Sequence, residues 1–169
     1  HSIYSCGFAM QLLGFHILND IAWFKPNASP NMSCRYFTAS HETLLWARKS
    51  KNAKHTFNYD AMKNGSFPKD FIKKPYCQMR SVWAIGTPPK SEKTHGKHPT
   101  QKPVELLERI IIASTNPGDL ILDPFMGSGT TGVAALKHGR RFVGIDKESQ
   151  FVELAEKRLY DASEKKDKK

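Results

Sequence analysis

The order of apolar and polar positions divides the chain into patterned ends and an irregular middle. Ile3, Phe8, Met10 and Leu12 or Leu13 recur at roughly helical spacing, and Gly14 supplies a stop. Residues 17–24 are apolar and β-rich, and Lys25-Pro26-Asn27 closes them, so a strand is expected there. Residues 27–33 carry turn chemistry, residues 42–47 form a second short strand candidate, and a basic turn follows over 48–54. From residue 55 to 97 periodicity is poor and Pro, Gly and Lys dominate; islands such as 78–83 are candidates for short strands. Order returns at Pro99. Thr100 is placed to cap a helix and Pro103 suits its first turn. Val104, Leu107, Ile110 and Ile111 make its apolar stripe, with Glu105 and Arg109 paired on the other side. Residues 120–122 read as a buried strand. A glycine-rich turn leads to a helix over 130–138, a second buried strand over 141–145 ends on Asp146, and a helix over 150–159 follows. Residues 164–169 read as a frayed, solvated Lys-rich tail.

Strand, glycine turn, helix, strand, acid and helix in that order make a βαβ unit of a doubly wound α/β sheet. Charge adds a partner class. The 169 residues carry 26 Lys and Arg against 16 Asp and Glu, a net charge of +10, which favours a polyanion, either nucleic acid or an anionic membrane surface. The excess is uneven: residues 48–102 hold 13 Lys or Arg and 3 acids. Cys6, Cys34 and Cys77 are dispersed and form no CxxC pair, so no metal site or disulfide framework is indicated, and reduced thiols in a cytoplasmic protein are expected. No apolar run approaches the roughly 20 residues that span a bilayer. The opening HSIYSCGFAMQLLGF lacks an initiator Met and reads as the end of a helix, a first sign of truncation.

The chemistry concentrates in Asp123-Pro124-Phe125-Met126-Gly127-Ser128-Gly129-Thr130-Thr131-Gly132. It lies at the carboxyl end of a strand, where open α/β sheets bind ligands. Glycines there let the backbone bend and approach a ligand. Asp146, ending the next strand, suits a carboxylate that accepts from both ribose hydroxyls of a nucleoside. Gly127, Gly129 and Gly132 also satisfy GxGxxG, so a nicotinamide dinucleotide is an open alternative; no Lys follows them, which excludes a P-loop. A second motif, Gly96-Lys97-His98-Pro99-Thr100-Gln101-Lys102-Pro103, precedes the helix that enters the unit. By physics alone it is a helix start with polar residues.

HPTQKP, then LILDPFMGSGTTG, then RRFVGID closely resembles the β-class DNA amino-methyltransferases, and Ile21-Ala22-Trp23-Phe24-Lys25-Pro26, Arg35 through His41-Glu42, and Thr56-Phe57-Asn58-Tyr59-Asp60 resemble that family's middle motifs. The resemblance covers essentially all of residues 1–160. It implies a Rossmann-like methyltransferase sheet and S-adenosylmethionine as cofactor. The backbone of Pro124, Phe125, Gly127, Ser128, Gly129 and Thr130 would hold it. Asp146 would bind its ribose, Asp123 would lie at the strand end beside it, and His98, Thr100 and Lys102 would sit near its methionine carboxylate. It further implies double-stranded DNA as substrate, met by an irregular basic target-recognition insertion. Lys25, Arg35, Lys90 and Lys93 are the expected cationic contacts, and Gln78 or Arg80 would read base edges.

The domains expected on this reading are 1–54, the second half of a catalytic subdomain; 55–97, target recognition; 98–160, cofactor binding; and 161–169, a disordered tail. The family's catalytic tetrapeptide, Asp/Asn/Ser-Pro-Pro followed by Tyr, Phe or Trp, occurs nowhere in the chain; Pro88-Pro89 has Thr87 before it and Lys90 after it. No catalytic residue is therefore assigned. The sheet is expected to be incomplete, in two halves with a gap where the strand carrying that motif would lie. A fragment of a longer protein is expected, or a chain completed by a partner, with a homodimer as a further partner expectation. The activity implied is methyl transfer to an exocyclic base amine, N6 of adenine before N4 of cytosine. A fragment that binds cofactor or DNA without turnover is the competing reading.

Overall fold

The computed structural model describes residues 2–67, 70 and 77–167. The chain divides into two compact units, His1–Gly86 and Thr87–Lys169. That boundary falls inside the expected target-recognition segment, 55–97. Residues up to 86 join the first unit because residues 82–84 pair with its sheet, and residues from 87 join the second, where Glu92 bonds to the start of a helix.

In the first unit, helix α1 (Ser2–Leu12) ends before Gly14, which takes φ 82°. It buries none of its residues: Tyr4, Phe8 and Leu12 are exposed. Strand β1 (His16–Phe24) pairs antiparallel with β2 (His41–Arg48). The register slips by one residue between Ile17 and Asn19, a bulge on the β1 side. The short helix α2 (Tyr59–Asn64), which the irregular pattern hid, buries Met62. Strand β3 (Val82–Ala84) falls in the expected island and runs parallel to β1, giving the order β2-β1-β3. Ile21, Trp23, Trp83, Ala84 and Ile85 form the buried set of these strands, and the Trp23 indole donates to the Ile85 carbonyl at 2.7 Å. That bond satisfies two buried polar groups at once.

In the second unit, a 3₁₀ turn (Lys90–Glu92) precedes α3 (Val104–Ser114), β4 (Leu120–Asp123), α4 (Thr130–Lys137), β5 (Arg141–Gly144) and α5 (Ser149–Asp167). β4 and β5 are parallel, in register Leu120↔Arg141 to Asp123↔Gly144, with α4 as their crossover. This is the expected βαβ unit. Val104 and Ile111 of α3 pack with Ala134 and Ala135 of α4 over Ile121 and Phe142 of the sheet.

Several local expectations change. Thr100 does not cap α3: the cap position is Pro103, and the Val104 N–H is taken instead by the Glu92 carboxylate at 3.0 Å. Arg109, expected on the solvent side, is buried. The strands expected to be buried on both faces are covered on one; Leu120, Leu122, Val143 and Ile145 are exposed. α5 runs to Asp167, well into the expected tail, because Asp161 bonds His95 at 2.7 Å and Ala162 is buried; residues 168 and 169 lie outside the described set. The described strands form two sheets, one per unit, as the expected gap requires, although β1 is flanked on both sides rather than open.

Candidate functional site

The site is built on the turn between β4 and α4. Asp123, the last residue of β4, accepts the Phe125 N–H on Oδ1 at 3.0 Å and the Thr131 hydroxyl on Oδ2 at 2.6 Å. It therefore ties the turn to the first turn of α4. Gly127 (φ 49°) and Gly129 (φ 71°) are left-handed, a conformation in which a side chain costs energy. A Cβ on Gly127 would also lie 3.0 Å from His98 Nε2, so any side chain there would press the His98 ring aside. Gly129 faces the α5 helix instead: a Cβ there would lie 2.7 Å from Ala155 Cβ.

Asp146 follows β5 and closes the turn from the other strand. Its Oδ2 accepts the Gly127 N–H at 2.9 Å and its Oδ1 the Glu148 N–H at 3.0 Å. The Glu148 N–H is the main reason its carboxyl sits below the ordinary aspartate range; the Gly127 N–H and the neighbouring His98 pull the same way, against partial desolvation. Asp146 is thus a carboxylate at neutral pH. The carboxylate is held by backbone N–H groups and, with about four acceptor positions on its two oxygens, keeps capacity for a ligand hydroxyl.

A cavity of about 160 Å³ opens beside the turn. His98, Thr100, Lys102, Asp123, Phe125, Gly127, Ser128 and Thr130 of the expected residues line it; Pro124, Gly129 and Asp146 do not, although Asp146 bonds directly to Gly127. Gln101, Leu107, Met126 and Thr131 line it too and were missed. Their signal was available in part, since Gln101 lies inside HPTQKP and Thr131 follows the glycines. The His98 ring is wedged edge-on against Phe151, with centroids 4.2 Å apart, and its Nδ1 accepts the Thr100 N–H at 3.2 Å. Phe125 stands 88% exposed at the rim, an apolar ring available to a planar group.

The expected DNA contacts divide between the units: Lys25, Arg35, Gln78 and Arg80 in the first, Lys90 and Lys93 in the second. Arg35, Gln78, Arg80 and Lys90 are exposed. Lys25 is engaged already, bonded to Glu42 at 3.2 Å and lying over the Trp23 ring, which makes it a weaker phosphate contact than its sequence position suggests. Among the described residues there is no cluster of metal-ligating side chains, and no helix is long and apolar enough to cross a membrane. The three cysteines are free and exposed.

A parallel βαβ unit with a glycine turn, a cavity beside it and a strand-end carboxylate defines a nucleoside-binding α/β protein. The chain belongs to the DNA methylase family of N6/N4 methyltransferases, whose model matches residues 2–157. It is 57% identical over 160 residues to the type II methyltransferase M2.DpnII of Streptococcus pneumoniae, covering 94% of this chain and 57% of that protein. It is 47% identical over 161 residues to M2.MboI of Moraxella bovis, covering 95% of this chain and 56% of that protein. The chain thus spans little more than half the length of these relatives. Among solved structures it is similar to the M1.HpyAVI–SAM complex, with TM-score 0.72 and 39% identity over 94% of this chain and 69% of that one. The cytosine-N4-specific PvuII methyltransferase, at 21% identity and TM-score 0.69 over 96% of this chain and 62% of that one, shares the fold. Family membership displaces the dinucleotide alternative that the glycine spacing left open.

Proposed function

We propose that the second unit binds S-adenosylmethionine and that the complete protein transfers its methyl group to an exocyclic amine of a base in double-stranded DNA, N6 of adenine before N4 of cytosine. The observation that carries this reading is the glycine turn locked between Asp123 and Asp146 at the mouth of the His98-to-Lys102 cavity. The residues fit the cofactor. Asp146 retains acceptor positions for ribose hydroxyls, and Phe125 offers an apolar face to the adenine ring. Gly127 leaves room that a Cβ would fill, and the Lys102 and Thr100 end supplies a cation and a donor for a carboxylate. The Lys102 side of the cavity would take the amino-acid end, and the nucleoside would lie towards Asp146 and the exposed Phe125.

When bound, the sulfonium supplies a methyl group that needs no covalent enzyme intermediate. The chain's own residues hold the cofactor's ribose and carboxylate in place, so that amine, methyl and sulfur align. A group is also needed to accept the amine's hydrogen bonds and stack on the extruded base. The chain has no Asp/Asn/Ser-Pro-Pro-aromatic tetrapeptide, so that group comes from polypeptide outside these residues, in the same protein or in a partner. That absence also favours a second reading, in which this chain alone binds cofactor or DNA without turnover. The type II relatives suggest a restriction–modification setting in the bacterial cytoplasm, where the DNA substrate is.

Incubation of the complete protein with methyl-labelled S-adenosylmethionine and duplex DNA, followed by nucleoside analysis, tests the proposal. Label in N6-methyladenine is the expected result. Label in N4-methylcytosine overturns the adenine preference alone, and absence of label from any nucleoside overturns the transfer. Label with the complete protein but none with residues 1–169 is the pattern expected of the fragment.

A further inference from the structure

A buried arginine is costly unless its charge and donors are met, because the guanidinium does not discard its proton at any working pH. Arg158 is 7% exposed on α5. It donates from Nη1 to the Ser128 carbonyl at 2.6 Å and to the Thr130 hydroxyl at 3.0 Å. Both acceptors belong to the glycine turn, both residues are buried, and both line the cofactor cavity. Ser128 and Thr130 direct their hydroxyls to each other, 3.2 Å apart. The turn is therefore fastened from behind as well as through Asp123 and Asp146.

The opposite wall of the cavity is fastened to the same place through Glu92. Its backbone carbonyl accepts the Gln101 amide N–H at 2.9 Å, and Gln101, 8% exposed, lines the cavity from the HPTQKP side. Its carboxylate caps α3 through the Val104 N–H. Glu92 and Arg158 both line a second cavity of about 260 Å³. Glu92 is thus joined to the HPTQKP wall, and Arg158, across the same second cavity, to the glycine turn.

We propose that Arg158 and Glu92 are positioning residues that fix the spacing of the two walls of the cofactor cavity without touching the cofactor. The inference rests on the reading of that cavity as the S-adenosylmethionine site. Losing Arg158 leaves the Ser128 carbonyl and Thr130 hydroxyl buried without their donor, which loosens the turn's upper surface where the ligand sits. A lysine in its place keeps the charge and has enough donors for both acceptors.

The test uses the complete protein with Arg158→Met, Arg158→Lys and Glu92→Gln, read by calorimetric S-adenosylmethionine affinity, duplex DNA affinity, kcat at saturating cofactor and thermal midpoint. The expected result for Arg158→Met is cofactor affinity weaker by about 10- to 100-fold, with DNA affinity and saturated kcat within about twofold. Arg158→Lys is expected to recover most of the loss, and Glu92→Gln to show a smaller loss confined to the same quantity. Unchanged cofactor affinity in Arg158→Met overturns the inference. Parallel loss of cofactor affinity, DNA affinity and kcat with no rescue by lysine also overturns it, because that is the signature of a general structural role. If Arg158→Met does not fold, Arg158→Gln reads the same split. A wild-type protein that does not bind S-adenosylmethionine overturns the functional reading and this inference together, and is told apart from the other outcomes by needing no variant.

Discussion

At the residue scale, the two left-handed glycines of the turn divide the work. Gly127 makes room for His98, and Gly129 makes room for Ala155 of α5. Gly129→Ala combines an unfavourable φ with a core clash and is expected to destabilise the second unit by about 1–3 kcal/mol, seen as a lower urea midpoint at unchanged slope. Gly127→Ala displaces a ring that borders the cavity, so its larger effect is expected on cofactor affinity rather than on the midpoint. Equal effects of the two on affinity would contradict this division. Asp146 gives a pH signature. Its folded pKa is lowered, so the stability it contributes is present above the ordinary aspartate range and is lost as pH falls through its folded value. Urea midpoints measured from about pH 5 down to about pH 2.5 are expected to fall less steeply in Asp146→Asn than in the wild type. Glu92 has the opposite sign: burial, its largest influence, raises its pKa, so its contribution is greatest when protonated and declines as pH rises through the folded value.

At the element scale, the strands gain their stability from a few fully buried side chains. Ile85 is 0% exposed just beyond β3, and Ile85→Ala is expected to cost the first unit about 2–5 kcal/mol by chemical denaturation. Trp23→Phe leaves the Ile85 carbonyl without its donor, and a loss of about 1–3 kcal/mol is expected by the same measurement. These elements also mark how far the sequence could be read. β1, β2, α3, β4, α4 and β5 were legible because each is a short apolar run closed by a Gly, a Pro or, for β2, a basic polar turn. So were the turn and the acid after β5, because strand, glycines, helix, strand and carboxylate keep a fixed order. α2 was hidden because its six residues bury only Met62 and show no stripe. The length of α5 was hidden because Asp161 and His95, 66 residues apart, meet only in the fold. The capping of α3 by Glu92 and the fastening of Ser128 by Arg158 join residues 12 and 30 positions apart, and no local pattern announces either. Of the cavity, HPTQKP and the turn were readable as motifs; which of their side chains face it was not.

At the scale of the whole molecule, charge is segregated by unit. Residues 1–86 carry 11 Lys and Arg against 4 acids, and residues 87–169 carry 15 against 12. The glycine turn, Asp146 and the cavity beside them thus lie in the nearly balanced unit, and most of the excess positive charge in the other. Duplex affinity is expected to fall steeply with salt. Neutralising one phosphate contact, for example Arg35→Ala or Arg80→Ala, would reduce the slope of log affinity against log salt by about one. Asp146→Ala should leave that slope unchanged. A slope insensitive to Arg35 and Arg80 would contradict their expected role as phosphate contacts. The central claim is narrower: that Asp146 and the glycine turn hold a nucleoside-bearing cofactor. Calorimetry of S-adenosylmethionine binding to the complete protein and to Asp146→Ala tests it most directly. Saturable one-to-one binding that the variant loses while keeping its thermal midpoint within a few degrees is the predicted result. Equal binding by a folded Asp146→Ala, or no binding by the folded wild type, would contradict it.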